Sequence, residues 1–269
     1  MKNKRTLYVL SVFLLISMLM SFYTSIGYSQ TSSPKAKMIL GKFFQKYDAL
    51  FTDGMKGINS AVCKLSIKGA GRINTGKQSG NVPGNVPLLI DTKIELYVAQ
   101  PNKMFFNLTG NLGNVAIVIP DKKPLTATAL FPNMKQFAIF SVPEKIFGGI
   151  KPLNREKFWQ ETILSYGGLQ TTKQGKAHKI IMKSTKPSQK ETTNIYILDN
   201  KWDPVLIEVN DPVGGNTTVE FEQIMLNARI PIEKFVPNTS GYTQVSKEQL
   251  SSLIMMNMMS ANMQKKQVK

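Results

Sequence analysis

One histidine, one cysteine and only 17 acidic residues in 269 leave this chain little material for chemistry. Cys63 stands alone, so neither an internal disulfide nor a cysteine-rich metal site can form. In an exported chain that thiol reads as a small buried apolar residue. His178 lacks the partners of a metal cluster, and any serine triad would have to use it, yet no Gly-x-Ser-x-Gly elbow is present. Asp199 with Asp203, and Glu208 with Asp211, lie close enough for a weak calcium site, but turn-forming aspartates account for them. Glu220 and Glu222 fall on one face of a strand, which places them on solvent rather than across a sugar. No glycine-rich cofactor loop is evident. The chain reads as a non-enzyme without cofactor or metal.

What is present starts at the amino terminus. Lys2, Lys4 and Arg5 precede an apolar run from Leu7 to Met20, and Gly27-Tyr28-Ser29 offers small residues where a signal peptidase reads. That layout predicts a signal peptide over 1–29, export, and a mature chain from Gln30. An uncleaved anchor is the alternative, although a membrane span needs about 20 apolar residues. No cysteine follows the run, so lipid attachment at a new amino terminus is not expected.

The chain carries +17, and taking away the three basic residues of 1–29 leaves +14. Such a charge favours anionic partners. In an exported protein these are lipid headgroups or lipopolysaccharide phosphates, not nucleic acid. Solvated lysines that keep the protein soluble are the plainer reading.

Ser33-Pro34 opens a helix in which Ile39, Phe43, Tyr47 and Leu50 form one apolar stripe up to Gly54. The period then changes to two. Ala61, Cys63, Leu65 and Ile67 alternate with polar residues, as do Ile90, Thr92, Ile94, Leu96 and Val98, which predicts half-buried strands. Gly69–Pro87 between them reads as a long loop. Further strands are expected at Lys103–Leu108, Val115–Ile119, Leu125–Phe131, Gln136–Val142, Leu169–Lys173, Ala177–Lys183, Thr193–Leu198, Val205–Asn210 and Asn216–Leu226, mostly antiparallel. A second helix is expected over Arg155–Tyr166, capped by Asn154 and stopped by Gly167-Gly168. In the tail, Ser246-Lys247-Glu248-Gln249 has the form of a capping box ahead of a methionine-dense segment, Leu250–Met263.

Certain stretches resemble a known family. Ile195-Tyr196-Ile197-Leu198-Asp199, Trp202-Asp203-Pro204-Val205-Leu206-Ile207-Glu208-Val209 and Gly214-Gly215-Asn216-Thr217-Thr218-Val219-Glu220-Phe221, continuing to Ile230-Pro231 and Phe235-Val236-Pro237, look like the carboxy-terminal half of periplasmic lipoprotein carriers, the LolA-like family. Gln100-Pro101-Asn102-Lys103-Met104-Phe105-Phe106 resembles that family's Arg-Pro-Gly-x-Phe-Arg-Trp segment. Gln100 replaces an arginine that latches a lid in true carriers, and Phe106 replaces the tryptophan. The resemblance spans about Met38 to Val245.

The resemblance implies an α+β fold: a strongly curved antiparallel sheet, an incomplete barrel, with helices covering its concave face. It also implies a periplasmic carrier or binder of lipid-modified proteins or lipids over residues 30–245, with acyl chains held against apolar side chains. The groove candidates are Leu65, Ile67, Ile94, Leu96, Phe106, Leu108, Val219 and Phe221; each also fits ordinary sheet core. A non-transporting envelope sensor or interaction module on the same fold, meeting other envelope proteins, is the alternative. The methionine-rich tail, 246–269, reads as a helix for a groove, membrane or partner, or else as a frayed end.

Overall fold

The computed structural model describes residues 32–51, 57–74, 85–111, 113–121, 124–142, 155–185, 190–212 and 215–246, with positions 249 and 252. The expected signal segment 1–29, the middle of the expected Gly69–Pro87 loop and nearly all of the methionine-rich tail lie outside them.

The first helix, α1 (Pro34–Phe51), starts where Ser33 caps it, its Oγ accepting from the Ala36 amide at 3.4 Å. Two meanders of antiparallel strands follow. The first is β1 (Ser60–Asn74), β2 (Asn85–Ala99), β3 (Lys103–Gly110), β4 (Val115–Ile119), β5 (Thr126–Phe131) and β6 (Gln136–Ser141). A short helix, α2 (Arg155–Glu161), leads into the second: β7 (Thr162–Thr172), β8 (Gly175–Ser184), β9 (Thr192–Leu198), β10 (Pro204–Asp211) and β11 (Gly215–Leu226). Antiparallel pairing of β1 with β11 fuses the two meanders, and the two-residue β12 (Thr243–Gln244) adds to β6 in parallel. The order is β12-β6-β5-β4-β3-β2-β1-β11-β10-β9-β8-β7, with ends that do not pair with each other. The sheet is therefore an incomplete barrel.

Both open edges are blunted. Along β7, the Ser33 amide donates to the Leu164 carbonyl at 2.8 Å and Ser32 Oγ accepts from the Leu164 amide at 3.1 Å. Along β6, the amides of Thr243 and Val245 donate to the carbonyls of Lys135 and Phe137. Covered in this way, the edges are poor templates for another chain's strand.

Bulges keep apolar residues on one face. Lys64 pairs with Gln223 but Leu65 pairs with Phe221, so Glu222 is an extra residue in β11. That insertion flips the alternation, and Ile224 and Leu226 join Phe221 and Val219 on the same side. The doubled polar pair Glu222-Gln223 is its trace in the sequence.

Two expectations are corrected. The second helix ends at Glu161 rather than Tyr166, because Thr162 to Tyr166 pair with β8, burying Thr162 and Leu164. Gly167-Gly168 then forms a bulge opposite Lys179, with Gly168 at φ +88°, and is not a helix stop. Gly69–Pro87 is not a loop throughout. The β1–β2 ladder runs on to Asn74 opposite Asn85, and Gly69 is there because β11 passes too close for a side chain.

The segment after β11 crosses the opposite face. Phe235, in a 3-10 turn over Ile232–Phe235, buries itself with Val62 and Tyr97 before the chain reaches β6.

Candidate functional site

Register lines up the apolar face in rows. Phe221, Leu65, Ile94, Leu108 and Val115 are successive partners across β11, β1, β2, β3 and β4. Val219 and Ile67 are paired in the row to one side. Cys63, Leu96, Phe106, Ile117, Ala129 and Ala138 form the row on the other. All eight groove candidates are thus neighbours on one face. Seven are buried, and Leu108 is half-buried.

Helix α1 joins the same apolar cluster through Ala36, Ile39, Leu40, Phe43, Phe44 and Tyr47. Burying each larger side chain is worth roughly 1.5–3 kcal/mol before entropy is counted. Aromatic rings tie the helices together: Phe44 meets Phe158 at 5.4 Å and Trp159 at 5.7 Å, edge to face. Ile90, Leu108 and Val115, on β2, β3 and β4, are half-buried. Cys63 sits at the rim of the core, where burial pushes its thiol up to about 12.

A polar seam fastens α1 to the second meander. Tyr47 donates from its hydroxyl to Asp203 Oδ1, and Lys46 Nζ bonds both Asp203 and, at 2.8 Å, the Lys201 carbonyl. Burial first, then the bond to Asp203, hold the Tyr47 hydroxyl protonated far above the usual tyrosine range. Nearby, His178 Nε2 lies 3.1 Å from Asp199 Oδ1 and Nδ1 lies 3.0 Å from the Tyr166 hydroxyl. A carboxylate only accepts, so Nε2 carries a proton; in the neutral ring Nδ1 accepts from Tyr166. The imidazole stacks on Trp202, 6.2 Å between centres and 13° from parallel. Trp202 is held there by a left-handed backbone, φ +60°, that a bulky residue rarely adopts. Lys42 Nζ stands 4.3 Å above the Trp202 ring and Lys35 Nζ stands 4.3 Å above Tyr166.

The acids that a calcium site would have used are engaged separately, Asp199 with His178, Asp203 with α1, and Glu208 with Asn194 and Tyr196. Among the described residues no three His, Cys, Asp or Glu side chains gather to hold a metal. Gln100, in the position of the expected latch, donates from Nε2 to the Ile58 carbonyl at 2.9 Å, just ahead of β1. Sequence reasoning missed the fastening through Lys35, Lys42, Tyr166 and Trp202. The seven-residue spacing of the two lysines, two helical turns, was its one trace in the sequence.

No protein-family model matches the chain, and no curated protein matches it in sequence. Solved structures similar to it include an uncharacterized conserved protein from Thermus thermophilus, at 12% identity over 79% of this chain and 99% of that one, TM-score 0.40. A LolA superfamily protein from Nitrosomonas europaea aligns at 10% identity over 73% and 97%, TM-score 0.27. The Mycobacterium tuberculosis lipoprotein LppX aligns at 10% identity over 75% and 100%, TM-score 0.36. The likeness in each case is partial.

Proposed function

We propose that the protein is an exported binder and carrier of acyl chains, either free lipid or the anchors of lipid-modified proteins. The observation that carries this is the register-aligned apolar face of an unclosed sheet, with α1 packed in the same apolar cluster beside β7 and β8 and with Ile90, Leu108 and Val115 only half-buried. Leu65, Ile67, Ile94, Leu96, Phe106, Leu108, Val219 and Phe221 line the groove on the concave side, and α1 is its cover. Each buried methylene contributes about 0.8 kcal/mol, so one fatty chain gains roughly 10 kcal/mol on leaving water. The lysine contacts along the flank of α1 are each worth little beside its buried apolar side chains. The signal-like 1–29 segment directs the work to the periplasm, and the +14 of the remaining chain draws it to anionic membrane surfaces.

The test is to extract the purified protein with organic solvent and identify bound lipid by mass spectrometry. The delipidated protein is then titrated with a fluorescent fatty acid. Acyl lipid in near-stoichiometric amount and saturable rebinding are expected. A protein that carries no lipid and binds no acyl probe is not a carrier.

A further inference from the structure

Lys35, Met38, Lys42 and Lys46 succeed one another at three- and four-residue steps along one flank of α1. Opposite them runs a row of rings on β7, β8 and the β9–β10 turn: Tyr166, then His178 at 5.9 Å, then Trp202 at 6.2 Å. The seven residues from Lys35 to Lys42 rise about 10.5 Å along the helix, nearly the length of that row, which is why each amino group lands on an end ring. Asp203, next in the row, receives Lys46.

The charges on this flank are unbalanced. Lys35 and Lys37 occupy the first turn of α1, where the helix dipole already presents positive potential, and no acid accompanies them there. The carboxylates within the seam are committed, Asp199 to His178 and Asp203 to Lys46 and Tyr47. Among the described residues Lys35, Lys37 and Lys42 are in no ion pair; ring faces hold the first and third, and Lys37 is exposed. Met38 lies between the lysines with 52% of its surface in water. Directly beneath are Ile39, Phe43 and Phe44, the apolar interior. Cations beside aromatic rings, above an apolar interior, match an amphiphile whose anionic end stays at the surface while its chain goes inside.

We infer that this seam is the headgroup site of the cargo and that it selects an anionic headgroup. Lys35 and Lys42 leave the ring faces to hold the anion, and Lys37 and the first turn of α1 add positive potential. The chain passes beneath α1. The inference rests on the acyl-binding reading and adds a charge preference that the apolar face by itself would not have.

The experiment compares two probes with the same chain, oleoyl-lysophosphatidate and monooleoylglycerol, on the delipidated full-length protein, with oleate as a carboxylate arm to separate phosphate from negative charge in general. The lysophosphatidate binds about tenfold tighter than the glycerol ester. Lys35→Gln/Lys42→Gln removes that preference, so that within this variant the lysophosphatidate and the glycerol ester bind with equal affinity. Lys37→Gln, which touches no seam contact, reduces the preference in part. Lys68→Gln/Lys93→Gln, on the opposite face of the sheet, keeps it. Equal affinity for the two probes overturns the headgroup site and leaves the acyl-binding reading standing, as does a preference that survives loss of Lys35 and Lys42 or falls equally in the Lys68/Lys93 variant. Binding of neither probe removes both.

Discussion

A β-carbon on Gly69 would stand 2.6 Å from the Cα of Thr217, so only glycine lets β1 and β11 approach as they do. Among the described strands no other pairing joins the two meanders: Ala61 to Gly69 lie against Thr217 to Leu226, and the remaining antiparallel pairings join strands adjacent in sequence. Their union depends on an absent side chain at one end of that seam.

Gly69→Ala is therefore expected to destabilise the protein by about 1–3 kcal/mol, since the neighbours are backbone and cannot move aside cheaply. Gly41 in α1 has nothing within 4 Å of where its β-carbon would be. Gly41→Ala should stabilise by ~0.5–1 kcal/mol, because glycine costs about that much in a helix. Thermal melts of both variants check the opposite signs.

At half-buried Leu108, Leu108→Glu should weaken fatty-acid binding about tenfold at a smaller cost in stability than the fully buried positions, since the carboxylate has partial access to water. Leu96→Glu and Phe106→Glu, at buried positions, should lose both binding and several kcal/mol of stability, on the order of 3 or more. Undiminished binding by folded Leu108→Glu would take that residue out of the groove.

Alkaline pH should destabilise the protein in two steps. Cys63 has its pKa raised from 9.0 to about 12 by burial, and that of Tyr47 is raised from 10.0 by burial and Asp203. Each folded-state value lies above the unfolded one, so each group's contribution is complete below its unfolded pKa and falls as pH rises toward the folded one. Stability should fall from about pH 9 by up to ~1.4 kcal/mol per pH unit through Cys63, and more steeply from about pH 10 as Tyr47 joins. Denaturant titrations of Cys63→Ala should show no slope from this source between about pH 9 and 10.

The carboxy-terminal tail tests differently. The Val245 amide still donates to the Phe137 carbonyl, completing the edge of β6, and the Ser246 amide donates to Gln249 Oε1 at 3.0 Å, the reach-back half of a capping box. Truncation after Val245 should leave the melting temperature within a few degrees and change affinity for lipid or anionic vesicles. Collapse of the fold on truncation would assign those methionines to the core.

Period-two alternation found the strands because one face is buried and the other wet. Val115–Ile119 in the first meander was placed to the residue, and the strands of the second meander apart from β7 were found within one or two residues. β7 misled because Trp159, Ile163 and Tyr166 have helical spacing, and only pairing with β8 decides for strand. The groove candidates could be nominated because adjacent strands share parity, but the bulge at Glu222 that keeps Phe221 and Ile224 on one side shows only as two polar residues in succession. The row Tyr166, His178 and Trp202 was not legible. Its members come from three elements and meet Lys35 and Lys42 only once α1 has docked, so no local periodicity announces them.

The two-meander plan has a consequence for how the chain reaches its native state. Hairpins within each meander close over short spans, but β1 and β11 lie about 150 residues apart and can pair only after β11 has been made. Such a distant closure is entropically expensive and slow, with refolding expected in milliseconds to seconds or longer. Until it occurs, both ribbons show water an apolar face and an open edge, the state most prone to wrong association. Stopped-flow refolding followed by Trp202 and Trp159 fluorescence, with a slower final phase in Gly69→Ala, would place the β1–β11 closure at the rate-limiting step. The faster β1 finds β11, the shorter the time in which two apolar ribbons can find another copy of the chain instead.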